Sequence, residues 1–179
     1  MAHPVEAVRV KTLTLHQPWA TLVARAVKTI ETRSWSTGHR GPLAIHAGRA
    51  IPPTLFYDRR LMVGGYEVER DNPRGSSPAY LLRHASLAWP YRLPLGEVVA
   101  TCTLVDVVAV EDVRFDGTAG SKWIILMSPG RDSVLSQSGN EPLGDFFPGR
   151  FAWLLADIEP LAKPVPARGR QGLWEWAAQ

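Results

Sequence analysis

The sequence predicts a mainly β domain, and three observations carry that prediction. A β-branched run opened by glycine, GEVVATCTLVDVVAV from Gly96 to Val110, suits a central strand that bends as it crosses a sheet. The run from Val8 to Leu15 alternates with period two: Val8, Val10, Thr12 and Thr14 share one side, and Arg9, Lys11, Leu13 and Leu15 the other. Towards the carboxyl end, Arg150 to Asp157 and Leu161 to Ala167 read as closing strands. At 179 residues and 45% hydrophobic, the chain can bury a substantial core, and its length favours one domain over 1–179.

The first strand starts at the surface and ends in the core. His16 and Gln17 follow it, and Pro18 then stands where a helix begins, because proline lacks the N–H that would be unsatisfied there. A helix is expected from Pro18 to about Val27, with Trp19, Leu22, Val23 and Ala26 spaced to face inward. Its amino end offers backbone N–H donors beside Gln17 and Trp19, a ready anion or carbonyl site. Gln17 reads either as a ligand contact or as a helix cap, and Trp19 either as a stacking platform or as core.

The next strand, Lys28 to Trp35, places Thr29, Glu31 and Arg33 on one face and Ile30, Thr32 and Ser34 on the other. On a solvated face the Glu31 and Arg33 pair would contribute less than about 1 kcal/mol. Lining a cleft, Arg33 becomes a fixed donor fork, Glu31 an acceptor or base, and Lys28 a mobile cation. A turn over Ser36 to Gly41 leads into a strand from Pro42 to Ala47. His46, between Ile45 and Ala47, reads as a satisfied core histidine rather than a catalytic one, since no metal-spaced partner lies nearby.

Residues 50–94 are expected to form a helical insertion over one rim. Its helical candidates are Pro53 to Met62 and Pro78 to Ala88, joined by the polar stretch DNPRGSSP. Its arginines, Arg59, Arg60, Arg70, Arg74 and Arg83, either extend a phosphate track or form a solvated face. Glu97, at the start of the long strand, is the candidate for a second carboxylate or an exposed strand end. Residues 115–148 are expected to be a long loop region in which SKWIILM is a short strand or helix. Arg168 to Gly172 reads as a flexible basic turn, after which Trp174 either stacks on a ligand or staples the chain end to the core.

Charge is unevenly distributed. Residues 1–92 carry 13 Lys and Arg against 6 acids, whereas residues 93–179 carry 7 against 11. Eleven of the first thirteen are arginines, whose planar forks match phosphate oxygens and stack on bases, which gives weight to a nucleic-acid or nucleotide partner beside the plain reading of Arg as solubiliser. Cys102 is the only cysteine, which excludes an intrachain disulfide and a cysteine-clustered zinc site, and its apolar neighbours mark it as a packed thiol rather than a nucleophile. No uninterrupted apolar run spans a membrane, and MAHPVEAVRVK has no apolar signal core, so a cytoplasmic protein without membrane association is expected. No Walker loop, dinucleotide fingerprint, serine-hydrolase elbow or His-Glu-x-x-His motif occurs, so no metal or cofactor is expected.

LHQPWATLVARAVKTIETRSW followed by HRGPLAIHAGR resembles the ASCH domain, the activating-signal-cointegrator homology family, which has a PUA-like β-barrel fold. The family signature Gly-x-Lys-x-x-Glu-x-Arg is met here by Ala26-Val-Lys28-Thr-Ile-Glu31-Thr-Arg33, with only the glycine replaced. Gln17, Pro18, Trp19 and the Arg40-Gly41 turn match as well. The resemblance implies a PUA-like open β-barrel with flanking helices and a side cleft in which Lys28, Glu31 and Arg33 meet RNA or a modified nucleoside. Gln17, Trp19 and Trp174 complete the expected ligand contacts. The alternative it implies is an enzyme in the same cleft, an N4-acetylcytidine type amidohydrolase or an RNA-cleaving hydrolase working without metal. Lys28 would serve there with Glu31 or Glu97, although the amidohydrolase branch carries a threonine where this chain has Glu31. A protein-interaction adaptor, with the polar strand purely structural, is the third reading.

Overall fold

The computed structural model describes residues 8–50, 93–115, 122–128, 131–136 and 146–178. Its elements run β1 (Arg9–Leu15), α1 (Trp19–Ala24), β2 (Ile30–Arg33), β3 (Gly41–Ala47), β4 (Glu97–Phe115), β5 (Lys122–Ser128), β6 (Arg131–Ser136), β7 (Phe151–Pro166) and β8 (Leu173–Ala177). The mainly β expectation holds. The strands form one eight-stranded mixed sheet in the order β2-β7-β4-β3-β1-β8, with β5 and β6 extending from β4 as a hairpin.

The open-barrel expectation is met in part: the described strands are mainly one mixed sheet, and they do not close into a barrel. Their path ends on β2 at one side and β8 at the other, and no backbone ladder joins those two. The helical insertion and its two helical candidates lie outside the described residues. The loop expected over 115–148 contains β5 and β6, so Lys122 to Met127 of the SKWIILM stretch is a strand of a hairpin. The two closing strands are one 16-residue strand, β7, which runs between β2 and β4 and bends at Asp157, where φ is +48°.

The long β4 strand is central, pairing with β3, β5 and β7 and shifting register three times against β7. Such bulges re-aim a strand and increase its twist, which lets 19 residues follow a curved sheet. β1 begins exposed and ends buried, as its alternation predicts. Leu13, Leu15, Leu43, Ile45, Leu104 and Trp153 are buried together in the core, with Val23 of α1 packed on them. Trp153 meets Trp35 edge to face, at 4.7 Å between ring centroids.

Two features of register position the site. β1 and β3 run parallel with Thr14 opposite His46 and Leu15 opposite Ala47. On the other side of β3, Ala47 faces Glu97, which faces Pro166 of β7. The carboxyl ends of β1, β3 and β7 therefore come together at one end of the sheet.

Candidate basic cleft and the buried charge pair

The signature residues are set by the end of α1. Arg25 closes the helix and Ala26 follows at φ +54°. Ala26 N–H donates to the Val23 carbonyl (2.7 Å) and Val27 N–H to that of Leu22 (3.0 Å). This is the Schellman arrangement, in which the residue after the cap takes the left-handed conformation and glycine is usual. Ala26 adopts the glycine conformation despite its methyl group, and the chain emerges directly into Lys28.

Lys28 points inward. Its side chain is 1% exposed, and its ammonium lies 3.2 Å from Glu31 Oε2 while donating to the Ile30 carbonyl. Burial lowers its pKa below the ordinary lysine value, with the Glu31 charge and hydrogen bond acting in the opposite direction. Glu31 is also buried and holds Arg33 through its other oxygen, 3.3 Å from Nε. Arg33 Nη2 in turn donates to the Thr14 carbonyl (2.8 Å). The expected shared face is correct, but these charges pair with one another and with backbone carbonyls, while Arg33 Nε makes the ion-pair contact without a hydrogen bond.

Gln17 is fully buried and committed at both ends. Its Oε1 accepts from the N–H and hydroxyl of Thr21 at 3.1 and 3.0 Å, and its Nε2 donates to the Pro94 carbonyl at 2.8 Å. Trp19 is half-buried against the core. Glu97 is half-buried at the start of β4. Trp174 is buried, donates from Nε1 to Thr14 Oγ1 (3.1 Å) and meets the His46 ring edge on at 5.5 Å, an arrangement that staples β8 to the core.

A cleft of about 830 Å³ opens at the strand ends described above. Its polar walls include Thr14, His16, His46, Arg49, Arg168 and Arg170, and the seven predicted site residues are not among its lining. Its basic residues come from two distant parts of the chain. His16 and Arg49 follow β1 and β3, whereas Arg168 and Arg170 lie in the connection from β7 to β8. The sequence marks the second pair only as a basic turn, because nothing local shows that β7 ends one strand away from the end of β3, across the start of β4.

The electrostatics of the cleft are one-sided. Two other surface arginines among the described residues have carboxylate partners: Arg40 with Asp106 at 2.7 Å, and Arg9 with Glu175 at 3.7 Å. Among the described residues, Arg49, Arg168 and Arg170 have no carboxylate partner, and all three are exposed. His16 Nδ1 donates to the Ala50 carbonyl at 3.0 Å. His46 is 1% exposed, with Nε2 donating to the Ala167 carbonyl at 3.1 Å. Burial, and next the nearby Arg49 charge, draw its pKa below the ordinary histidine value against the opposing Ala167 bond. Such an array attracts anions and offers forked donors to phosphate. Among the described residues, no group of three or more His, Cys, Asp or Glu side chains could hold a metal ion, and no helix is long and apolar enough to cross a membrane.

Comparison with known proteins agrees with the motif. Activating signal cointegrator 1 of Mus musculus is 57% identical over 69 residues, covering 35% of this chain and 12% of that protein. Activating signal cointegrator 1 of Homo sapiens is 57% identical over 40 residues, covering 22% of this chain and 7% of that protein. The chain thus spans a small part of the curated relatives it matches. The ASCH domain pattern matches residues 13–125, well over half of the sequence, and the chain belongs to the ASCH domain family.

Proposed function

We propose that the protein is a nucleic-acid-binding module that takes RNA, or a nucleoside carrying phosphate, in the cleft between the ends of β1, β3 and β7. The observation that carries this reading is the gathering of Arg49, Arg168 and Arg170 without carboxylate partners among the described residues. Membership of a family associated in general with RNA binding supports it. In this reading the arginines hold phosphate oxygens, and the signature charges serve as the frame behind them. Lys28, Glu31 and Arg33 brace β2 and the end of β1, which forms one wall.

The reading is tested by fluorescence anisotropy with a labelled single-stranded RNA across a salt series. Three phosphate contacts to a single strand give a slope of about −2 in log K against log salt. The combined variant Arg49→Ala, Arg168→Ala and Arg170→Ala is expected to lose most of that slope and most of the affinity. Unchanged binding in this variant would rule out the cleft as the ligand site.

The hydrolase alternative has the 3.2 Å Lys28 and Glu31 pair in its support. The burial of that ammonium weighs against it, since a substrate atom must reach the reacting group. Product formation from N4-acetylcytidine without added metal, lost in Lys28→Met, would favour the enzyme over the module.

A further inference from the structure

The connection between β7 and β8, residues 167–172, carries two of the cleft's three arginines and is fixed at several points. Ala167 N–H donates to the Gly96 carbonyl (3.0 Å), and its own carbonyl accepts from His46 Nε2. Thr14 Oγ1 donates to the Arg170 carbonyl at 3.1 Å while accepting from Trp174. Between those two anchors, Gly169 lies directly against the His46 ring. A Cβ at position 169 would stand 2.8 Å from His46 Nδ1 and 3.2 Å from Thr14 Oγ1, and nearer still to His46 Cε1. The ring cannot retreat, because it is 1% exposed, bonded to Ala167 and met edge on by Trp174.

We propose that Gly169 and His46 form the seat of an arginine clamp: the missing side chain lets the turn rest on the imidazole, and the turn so held presents Arg168 and Arg170 to the phosphodiester chain of a single-stranded nucleic acid. This rests on the reading of the cleft as a nucleic-acid site and assigns it two positioning residues that act by holding the turn. His46 Nδ1 is buried beneath the turn with no hydrogen-bond partner among the described residues, so its role is to support the turn. A methyl group at 169 must lift the turn, which breaks the Thr14 to Arg170 bond and displaces both guanidiniums. Residues 168–172 are exposed, so the fold tolerates that displacement and the loss appears in binding.

The test is anisotropy with a short fluorescein-labelled oligouridylate, accompanied by thermal melting of each variant. Gly169→Ala is expected to weaken binding about tenfold while melting close to the parent, as expected for a lost preorganised site. In a His46→Ala background the methyl has room, so adding Gly169→Ala is expected to cost less than about twofold. Thr14→Val removes the hydroxyl anchor without adding bulk and is expected to weaken binding about threefold. Parent-like binding in Gly169→Ala, or an equal loss in both backgrounds, overturns the seat. If Arg168→Ala and Arg170→Ala abolish binding while Gly169→Ala does not, the seat fails and the cleft reading stands. If the arginine variants bind like the parent, or the parent binds no oligouridylate, the cleft reading fails and the seat with it.

Discussion

Arg33 donates from Nη2 to the main-chain carbonyl of Thr14 across 2.8 Å, joining two strands with three others between them in the sheet order. The sheet is curled enough for β2 to reach β1 by a side chain, although no ladder closes it. Thr14 is also the residue whose hydroxyl bonds Trp174 and Arg170. The signature arginine and the cleft therefore meet on one residue. A charged hydrogen bond of this kind contributes about 2 kcal/mol. Arg33→Met is expected to lower unfolding stability by about that amount in urea denaturation. A stability equal to the parent's would show that the strands do not depend on this tie.

Lys28 and Glu31 form a buried pair, and removal of one partner leaves the other charge uncompensated. For Lys28→Met the remaining Glu31 keeps Arg33 at 3.3 Å, so the loss is expected near the lower end for such pairs, about 3 kcal/mol. Thermal melting is expected to fall by roughly 6–12 °C for a chain of this length. A Lys28→Met protein as stable as the parent would place the ammonium outside the frame.

Much of this was legible in the sequence, for identifiable reasons. The alternation of β1 and the β-branched run of β4 announce strands, because period two is a local property. The shared face of Glu31 and Arg33 is local as well, and the two side chains do meet. Whether that face meets solvent, a cleft or the core depends on what packs over it, and spacing cannot decide this. The ligand contacts expected at Gln17 and Lys28 differ from the geometry for that reason: both side chains are turned into the fold. The basic cleft was illegible because Arg49 and Arg168 are far apart in sequence and meet only through the β3, β4 and β7 pairings.

Ala26 sits at φ +54°, where an L-residue is strained and glycine is not. The position is exposed, so removing the methyl forfeits no packing. Left-handed strain of about 1–2 kcal/mol exceeds the unfolded-state entropy that glycine adds, about 0.4–1 kcal/mol. Ala26→Gly is therefore expected to raise the melting temperature by a few degrees. A lower melting temperature would mean that the Schellman turn is not strained by alanine.

Cys102 is buried in β4, and burial pushes its thiol up to about 12. The thiolate is the reactive form, so the native protein at pH 8 is expected to resist iodoacetamide and to be labelled only after unfolding in urea. Rapid native labelling would indicate that this strand opens readily.

His46 gives the chain an acid limb in its stability. Its folded pKa lies below the ordinary 6.5, so between the two values the unfolded chain binds the proton and the folded chain does not. Stability is then complete above pH 6.5 and declines as the pH falls from there towards the folded pKa. The physical cause is burial, with Arg49 adding repulsion to the imidazolium. His46→Gln removes the titrating group, and its melting temperature is expected to be flatter than the parent's from pH 7 to pH 5. Parallel pH profiles for the two proteins would show that the acid sensitivity arises from other groups.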